Sequence, residues 1–229
     1  MTLLIGATGA GGIALGTDRK VMRGGETYYS NKIHVLQDVA FATEGYTGIA
    51  EDFLLLLEQE VGRKKGFDTL YEAKTVAEDI IAELGQRYAK RLGDSSPIGV
   101  IMAGLENIKT GPARMYYVHP QGYGEVIKFR CSGSGGEYAH TLAKFLQDEK
   151  QSAEENARRI AFVIHWISED VSAEVGGNPH VGTLLDNKPE FNWLPDPEVA
   201  MQGAAANRCK GNLWKYFCQD LPLAAAKSA

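Results

Sequence analysis

Residues 1–20 read MTLLIGATGAGGIALGTDRK, and two readings compete for them. The apolar run before Gly6-x-x-Gly9-x-x-Gly12 has the outline of a dinucleotide-binding turn. Such a turn works because its last glycine opens a helix whose N-terminal N–H groups hold a pyrophosphate. Gly12 instead precedes Ile13-Ala14-Leu15-Gly16-Thr17-Asp18, which alternates like a strand and carries another glycine. No βαβ unit with an acidic residue about 20 positions further on appears. The glycines are therefore expected to turn a hairpin whose strands pack closely, returning Asp18 to the side of the chain's first residues. Ser132-Gly133-Ser134-Gly135-Gly136 precedes an expected helix but has neither the lysine nor the spacing of a phosphate-binding P-loop. No cofactor is expected.

The chain has 229 residues, 44% of them hydrophobic and 23% charged, enough for one domain with a real core. A net charge of −5, with Arg63-Lys64-Lys65 its densest basic run, argues against a nucleic-acid partner. Cys131, Cys209 and Cys218 are too scattered for a disulfide framework or a zinc ribbon, which suits a reducing compartment. No apolar run reaches the 18 or so residues of a membrane span, and only Met1 and Thr2 precede the first apolar stretch. A soluble cytoplasmic protein without a membrane partner is the expectation. The five histidines show no ligand spacing, and His165, in an apolar run, is expected to be a satisfied core residue.

Strand patterns fall at residues 3–6, 12–16, 32–36 and 39–43, the last two joined by a tight Gln37-Asp38 turn. Ile49, Phe53, Leu54, Leu57 and Val61 keep helical spacing, with Glu51 and Asp52 expected near that helix's N-terminus. A second helix is expected from about 68 to 92, then strands at 97–105, 114–119 and 125–131, helices after Gly136 and over 152–170, and a strand at 180–185. Strands in blocks with helices in pairs predict an α+β fold of two antiparallel sheets with helices on both outer faces. Residues 2–186 are expected to form one domain. Residues 187–229 are a C-terminal extension, packed on that domain or at a subunit interface, in which 207–218 reads as a helix or a partner-binding segment. Its aromatics Trp193, Trp214 and Phe217 suit either role.

The residue with distinctive chemistry is Thr2. Methionine before a small residue is a usual target for aminopeptidase trimming, and loss of Met1 leaves an N-terminal threonine. Its α-amine has a pKa near ~8, so a neutral fraction exists at pH 7. That amine takes the proton of its own hydroxyl, directly or through water, and makes the side chain a nucleophile. The chemistry further requires a positive charge beside the hydroxyl, donors for the oxyanion, and polar groups to hold the amine.

Five fragments stand in order along the chain: Thr2-Leu3-Leu4-Ile5-Gly6, Asp18-Arg19 sixteen residues after Thr2, Lys32-Ile33, Glu44-Gly45 with Ala50-Glu51-Asp52, and Ser132-Gly133-Ser134-Gly135-Gly136. In this order and spacing they resemble the proteasome β-type subunits, including the HslV peptidase, over about residues 2–186. The resemblance implies a four-layer αββα sandwich and an N-terminal nucleophile hydrolase. It casts Thr2 as nucleophile, Lys32 as the cation beside it and Asp18 as the counter-charge. The Gly45 N–H would then hold the oxyanion, a contribution of roughly 3–4 kcal/mol, and Ser134 would hold the amine. Val21 and Thr43 would line the first specificity pocket. Glu44 departs from the family, in which a small residue precedes that glycine. A carboxylate there would select basic or polar side chains or face solvent. The family's acidic residue after the long helix falls on Asp170 with a longer loop, or its place on Ser172.

The implied substrate is a peptide or unfolded protein, the implied assembly a homo-oligomeric ring, with any ATPase partner open. Two other functions stand beside the peptidase. A transpeptidase like connectase would pass the acyl group to a peptide amine. A ring or scaffold subunit would keep the fold without the chemistry, as α-type subunits do; those carry an N-terminal extension that does not precede Thr2 here.

Overall fold

The computed structural model describes residues 2–23, 25–93, 97–146, 150–168 and 171–214. In chain order the strands and helices are β1 (Leu3–Gly9), β2 (Gly12–Thr17), β3 (Lys20–Arg23), β4 (Glu26–Tyr29), β5 (Ile33–Leu36), β6 (Val39–Gly45), α1 (Thr47–Lys64) and α2 (Leu70–Leu92). Next come β7 (Ile98–Asn107), β8 (Thr110–His119), β9 (Gly122–Glu125), β10 (Phe129–Gly133), α3 (Gly136–Leu146), α4 (Ala153–Ile167), β11 (His180–Leu185), β12 (Phe191–Trp193) and α5 (Asp196–Trp214).

The opening glycines turn a hairpin. β1 and β2 pair antiparallel from Leu4↔Thr17 to Gly9↔Gly12 across Ala10 and Gly11. Gly12 thus begins a strand and not a helix. The pair lies inside a five-stranded sheet ordered β10-β1-β2-β11-β12, and a second sheet runs β5-β6-β7-β8-β9. Among the described residues every pairing between these strands is antiparallel.

Side chains alternate across a strand with period two, and here both faces are apolar because both are covered. Leu3, Ile5 and Ala14 pack with Ile160, Ala161 and Ile164 of α4. Leu4, Ile13 and Leu15 face the other way, meeting Ala40, Ala42, Ile101 and Met115 of the second sheet. Val39 and Phe41 of β6 point outward to Ile49, Phe53 and Leu57 of α1 and Ile81 of α2. The result is the expected helix–sheet–sheet–helix sandwich.

Helix ends obey their local chemistry. Thr69 caps α2 by accepting the Glu72 N–H at 3.1 Å, and Ser152 with Glu155 forms a reciprocal capping box on α4. α1 begins at Thr47, so Glu51 and Asp52 fall in its second turn and not at its N-terminus. Asp52 instead accepts the Tyr88 hydroxyl at 2.7 Å and ties α1 to α2.

Three further differences from the sequence-based expectation have physical reasons. The expected strand at 125–131 is two strands, because residues 126–128 carry the chain from one sheet to the other. The hairpin β3–β4 has no apolar alternation to mark it, since β4 is largely exposed. In the tail, β12 extends the first sheet at Gly182↔Trp193, and α5 begins at Asp196, well before residue 207, with Val199 and Ala206 buried. Its Gly203 lies against His165, which hydrogen-bonds the Val199 backbone while its Nε2 is buried without a partner, so that histidine is satisfied at one ring nitrogen only. Phe217 and Cys218 lie outside the described residues.

A Cβ on Gly16 would collide with Ile160 and Val181. Gly16→Ala is expected to lower stability by roughly 1–3 kcal/mol through overpacking. Gly62, in α1 with open space around it, gives the opposite sign, and Gly62→Ala should add roughly 0.5–1 kcal/mol. Urea denaturation of the two variants checks both.

Candidate active site

Asp18 ends the hairpin fully buried, at 0% exposure, and its carboxylate gathers four donors. The Leu3 N–H reaches Oδ1 at 2.8 Å and Lys32 Nζ reaches the same oxygen at 2.7 Å, while the N–H groups of Lys20 and Gly176 reach Oδ2 at 3.1 and 3.2 Å. Lys32, at 6% exposure, also donates to the Lys20 carbonyl at 2.7 Å. Burial pulls the Lys32 ammonium below the usual lysine range, and the charge and hydrogen bond of Asp18 oppose that pull.

Thr2, at 5% exposure, sits where these strands converge with β10. Its N–H points to Ser134 Oγ at 3.3 Å, and the Ser134 hydroxyl lies 3.4 Å from the Thr2 carbonyl oxygen. Two glycines close around it. Gly45, at the end of β6, has φ 103°, and a Cβ there would strike the Pro97 carbonyl. Gly133, with φ 86°, would put a Cβ into the Thr2 carbonyl. Both positions demand glycine on backbone and contact grounds together.

A cavity opens on each side of Thr2. The smaller, about 220 Å³, is lined by Val21, Lys32, Thr43, Gly45 and Leu54, among others, and also by the ionisable Glu51 and His34. The larger, about 390 Å³, is lined by Glu44, Gly45, Tyr46, Gly99, Gly133 and Ser134. Glu44 borders both. A more spacious groove lies between α1 and α2, lined by charged side chains such as Glu60, Arg63 and Glu83, and includes none of these residues.

Strand alternation explains which side chain serves which cavity. Thr43 shares the face of Phe41, toward α1, while Glu44 shares the face of Ala42, toward the other sheet. Glu44 therefore does not simply face solvent. Its Oε1 accepts the Tyr117 hydroxyl at 2.7 Å and the Ser132 hydroxyl at 2.5 Å, and its Oε2 is buried without a partner. The Arg130 guanidinium stacks 4.0 Å over the Tyr117 ring. Burial, then the Glu44 charge, pushes the Tyr117 phenol up from its usual value.

Thr2, Asp18, Lys32, Gly45, Ser134, Val21, Thr43 and Glu44 are thus brought together. Asp170 lies outside the described residues. Ser172 is engaged in its own loop, where its Oγ accepts the Glu174 N–H at 3.4 Å. Tyr117, Ser132 and Arg130 are the additions that sequence reading missed. Their signal was the period-two count along β6, which turns Glu44 inward.

This architecture, two stacked sheets between helix pairs with Thr2 at their convergence, is the N-terminal nucleophile hydrolase fold. A model of the proteasome subunit family matches residues 2–177, and the chain belongs to that family. Among solved structures it is similar to Anbu, the ancestral beta-subunit, from Yersinia bercovieri, with a TM-score of 0.77 at 12% identity over 93% of this chain and 96% of that one. Anbu from Hyphomicrobium sp. strain MC1, a Gly-1 mutant, aligns at 0.76 and 12% identity over 94% and 97%. The Anbu complex of Pseudomonas aeruginosa, described as a helical assembly, aligns at 0.77 and 15% identity over 99% and 100%. No curated protein matches in sequence. At these identities the structural likeness speaks for a proteasome β-like fold.

Removing one partner of a buried pair leaves an uncompensated charge, at a cost of about 3–5 kcal/mol. Asp18→Ala is expected to destabilise the protein by that amount in guanidinium titration. Lys32→Met added to it should recover part of the loss, because the orphaned ammonium is then gone.

Proposed function

We propose that the chain is a threonine peptidase of proteasome β type, acting through Thr2 after removal of Met1. The observation that carries this reading is the buried Lys32–Asp18 pair, hydrogen-bonded to the backbone of Leu3, the residue after Thr2. The free α-amine takes the Thr2 hydroxyl proton, and the oxygen attacks the amide carbon. The positive charge of Lys32 favours loss of that proton, and the Gly45 N–H takes the developing oxyanion. Ser134 holds the amine by the contact it already makes to Thr2. Collapse of the tetrahedral intermediate breaks the C–N bond, and the ammonium on Thr2 gives its proton to the leaving amine. Water, deprotonated by the same amine, then hydrolyses the ester and regenerates Thr2.

The pocket with Val21 and Thr43 would receive the side chain on the acyl side, and at about 220 Å³ it suits a moderate one. The larger cavity beside Ser134 and Gly45 leaves room on the amine side. That room also favours a second reading, in which a peptide amine replaces water and the enzyme joins two peptides. A homo-oligomer that shelters the site is part of the proposal, supported by the helical assembly described for Pseudomonas aeruginosa Anbu. The proposed setting is the cytoplasm. No helix among the described residues is long and apolar enough to cross a membrane.

Intact mass of protein from its own cells should show Met1 absent; its persistence would leave Thr2 without a free amine and overturn the reading. Thr2→Ala should lower turnover of a peptide library by at least about a thousandfold. Full turnover in that variant would contradict the role of Thr2. With an amine-bearing acceptor peptide present, a joined product marks ligation and a shortened product marks hydrolysis. Neither product, with Met1 removed, would make the chain a scaffold subunit.

A further inference from the structure

Glu44 carries an anomaly that the proposed chemistry above does not use. One of its oxygens is held by two hydroxyl donors, while the other is buried with no donor. A buried carboxylate oxygen left unpaired costs the full desolvation of that group, so native structures rarely leave one without a reason. The space around the carboxylate is cleared for it. A Cβ on Gly99 would lie 2.5 Å from Oε1 and 2.7 Å from the Tyr117 hydroxyl. The bare oxygen lies beside Gly133, in the cavity that Thr2 and Ser134 also line. The place where a Cβ on Gly133 would sit is 3.0 Å from Oε2 and touches the Thr2 carbonyl oxygen. Among the described residues no group of three His, Cys, Asp or Glu side chains could hold a metal ion there.

We propose that Glu44 is a positioning residue for the nucleophile, supplying the counter-charge to the α-ammonium that forms whenever Thr2 gives up its hydroxyl proton. This rests on the Thr2 reading above. The ammonium has three N–H donors. Ser134 Oγ stands where it accepts one, and Glu44 Oε2 is an unpartnered acceptor on a residue lining the same cavity. The other charges around Thr2 do not supply this. Lys32 and Asp18 neutralise each other from the β1–β2 side. Glu51 and His34 line the smaller cavity and not the larger one that holds Ser134. Tyr46 lines the larger one, and Arg130 is spent on the face of Tyr117. Held at Oε1 by Tyr117 and Ser132, the carboxylate is aimed without needing to move during the reaction. In this way a negative charge raises the pKa of a neighbouring amine, which favours the protonated form that must protonate the leaving group.

The test reads the α-amine itself, independently of turnover. The chain is expressed behind a cleavable fusion that ends immediately before Thr2, so every variant has a free Thr2 amine, verified by intact mass. Trace acetylation across pH 5–10, with mass spectrometry of the N-terminal peptide, gives the amine's titration midpoint. Glu44→Gln keeps the side chain's size and removes its charge. Its midpoint should fall by about one pH unit, with acetylation at pH 7 rising roughly five- to tenfold. Tyr117→Phe keeps the charge but removes one of the two hydroxyls that hold it; its midpoint should move by less than that of Glu44→Gln. An unchanged midpoint in Glu44→Gln overturns the proposal, as does an equal shift in Tyr117→Phe. A shifted midpoint in a protein without peptide turnover keeps the Glu44 inference and removes the peptidase reading. Turnover without a shift does the reverse.

Discussion

One buried carboxylate organises the structure around Thr2. Asp18 ties the end of β2 to Leu3 at the start of β1, to the chain before β5 through Lys32, and to the loop before β11 through Gly176. Four segments far apart in sequence therefore depend on one side chain, and each contributes a boundary of the site. Burying a carboxylate is costly unless it is paired, and here a cation and three main-chain N–H groups partner it. The same arrangement holds the Lys32 ammonium beside Thr2, where burial works against its charge and Asp18 sustains it. Stability and the shape of the site are thereby coupled, since whatever weakens the pair loosens the convergence of strands around Thr2.

The second constraint is steric. Gly133 brings its backbone against the Thr2 carbonyl and Gly45 brings its own against Pro97, both at positive φ and with no room for a side chain. Their closeness creates a cavity on either side of one residue and leaves Glu44 bordering both. The site is accordingly asymmetric in charge. A neutralised Lys32–Asp18 pair lies on the β1–β2 side, and a carboxylate with one bare oxygen lies toward Ser134.

Much of this was legible in the sequence where the signal was local. The β1–β2 hairpin comes from the alternation after Gly12, and the return of Asp18 to Leu3 comes from the hairpin. The outward face of β6, the stripe of α1 and the tight turn at Gln37 and Asp38, both with positive φ, needed only spacing and turn chemistry. The parts that were not legible depend on partners distant along the chain. Tyr117 and Ser132 lie 73 and 88 residues from Glu44, so the period of β6 turns Glu44 inward but its partners emerge only when the two sheets are stacked. β9 and β10 read as one strand because alternation cannot show a change of sheet. β4 carries no apolar period because it packs little of itself away. The extent of α5 was masked by Pro195 and Pro197 near its start, where a helix's first turn tolerates proline.

The central claim is that this convergence makes Thr2, and no other side chain, the nucleophile. It is tested most directly by treating the protein, with Met1 removed, with a peptide epoxyketone or β-lactone and mapping the adduct by mass spectrometry. The account predicts a single adduct on the N-terminal Thr2 peptide. An adduct on another residue, or none, would contradict it.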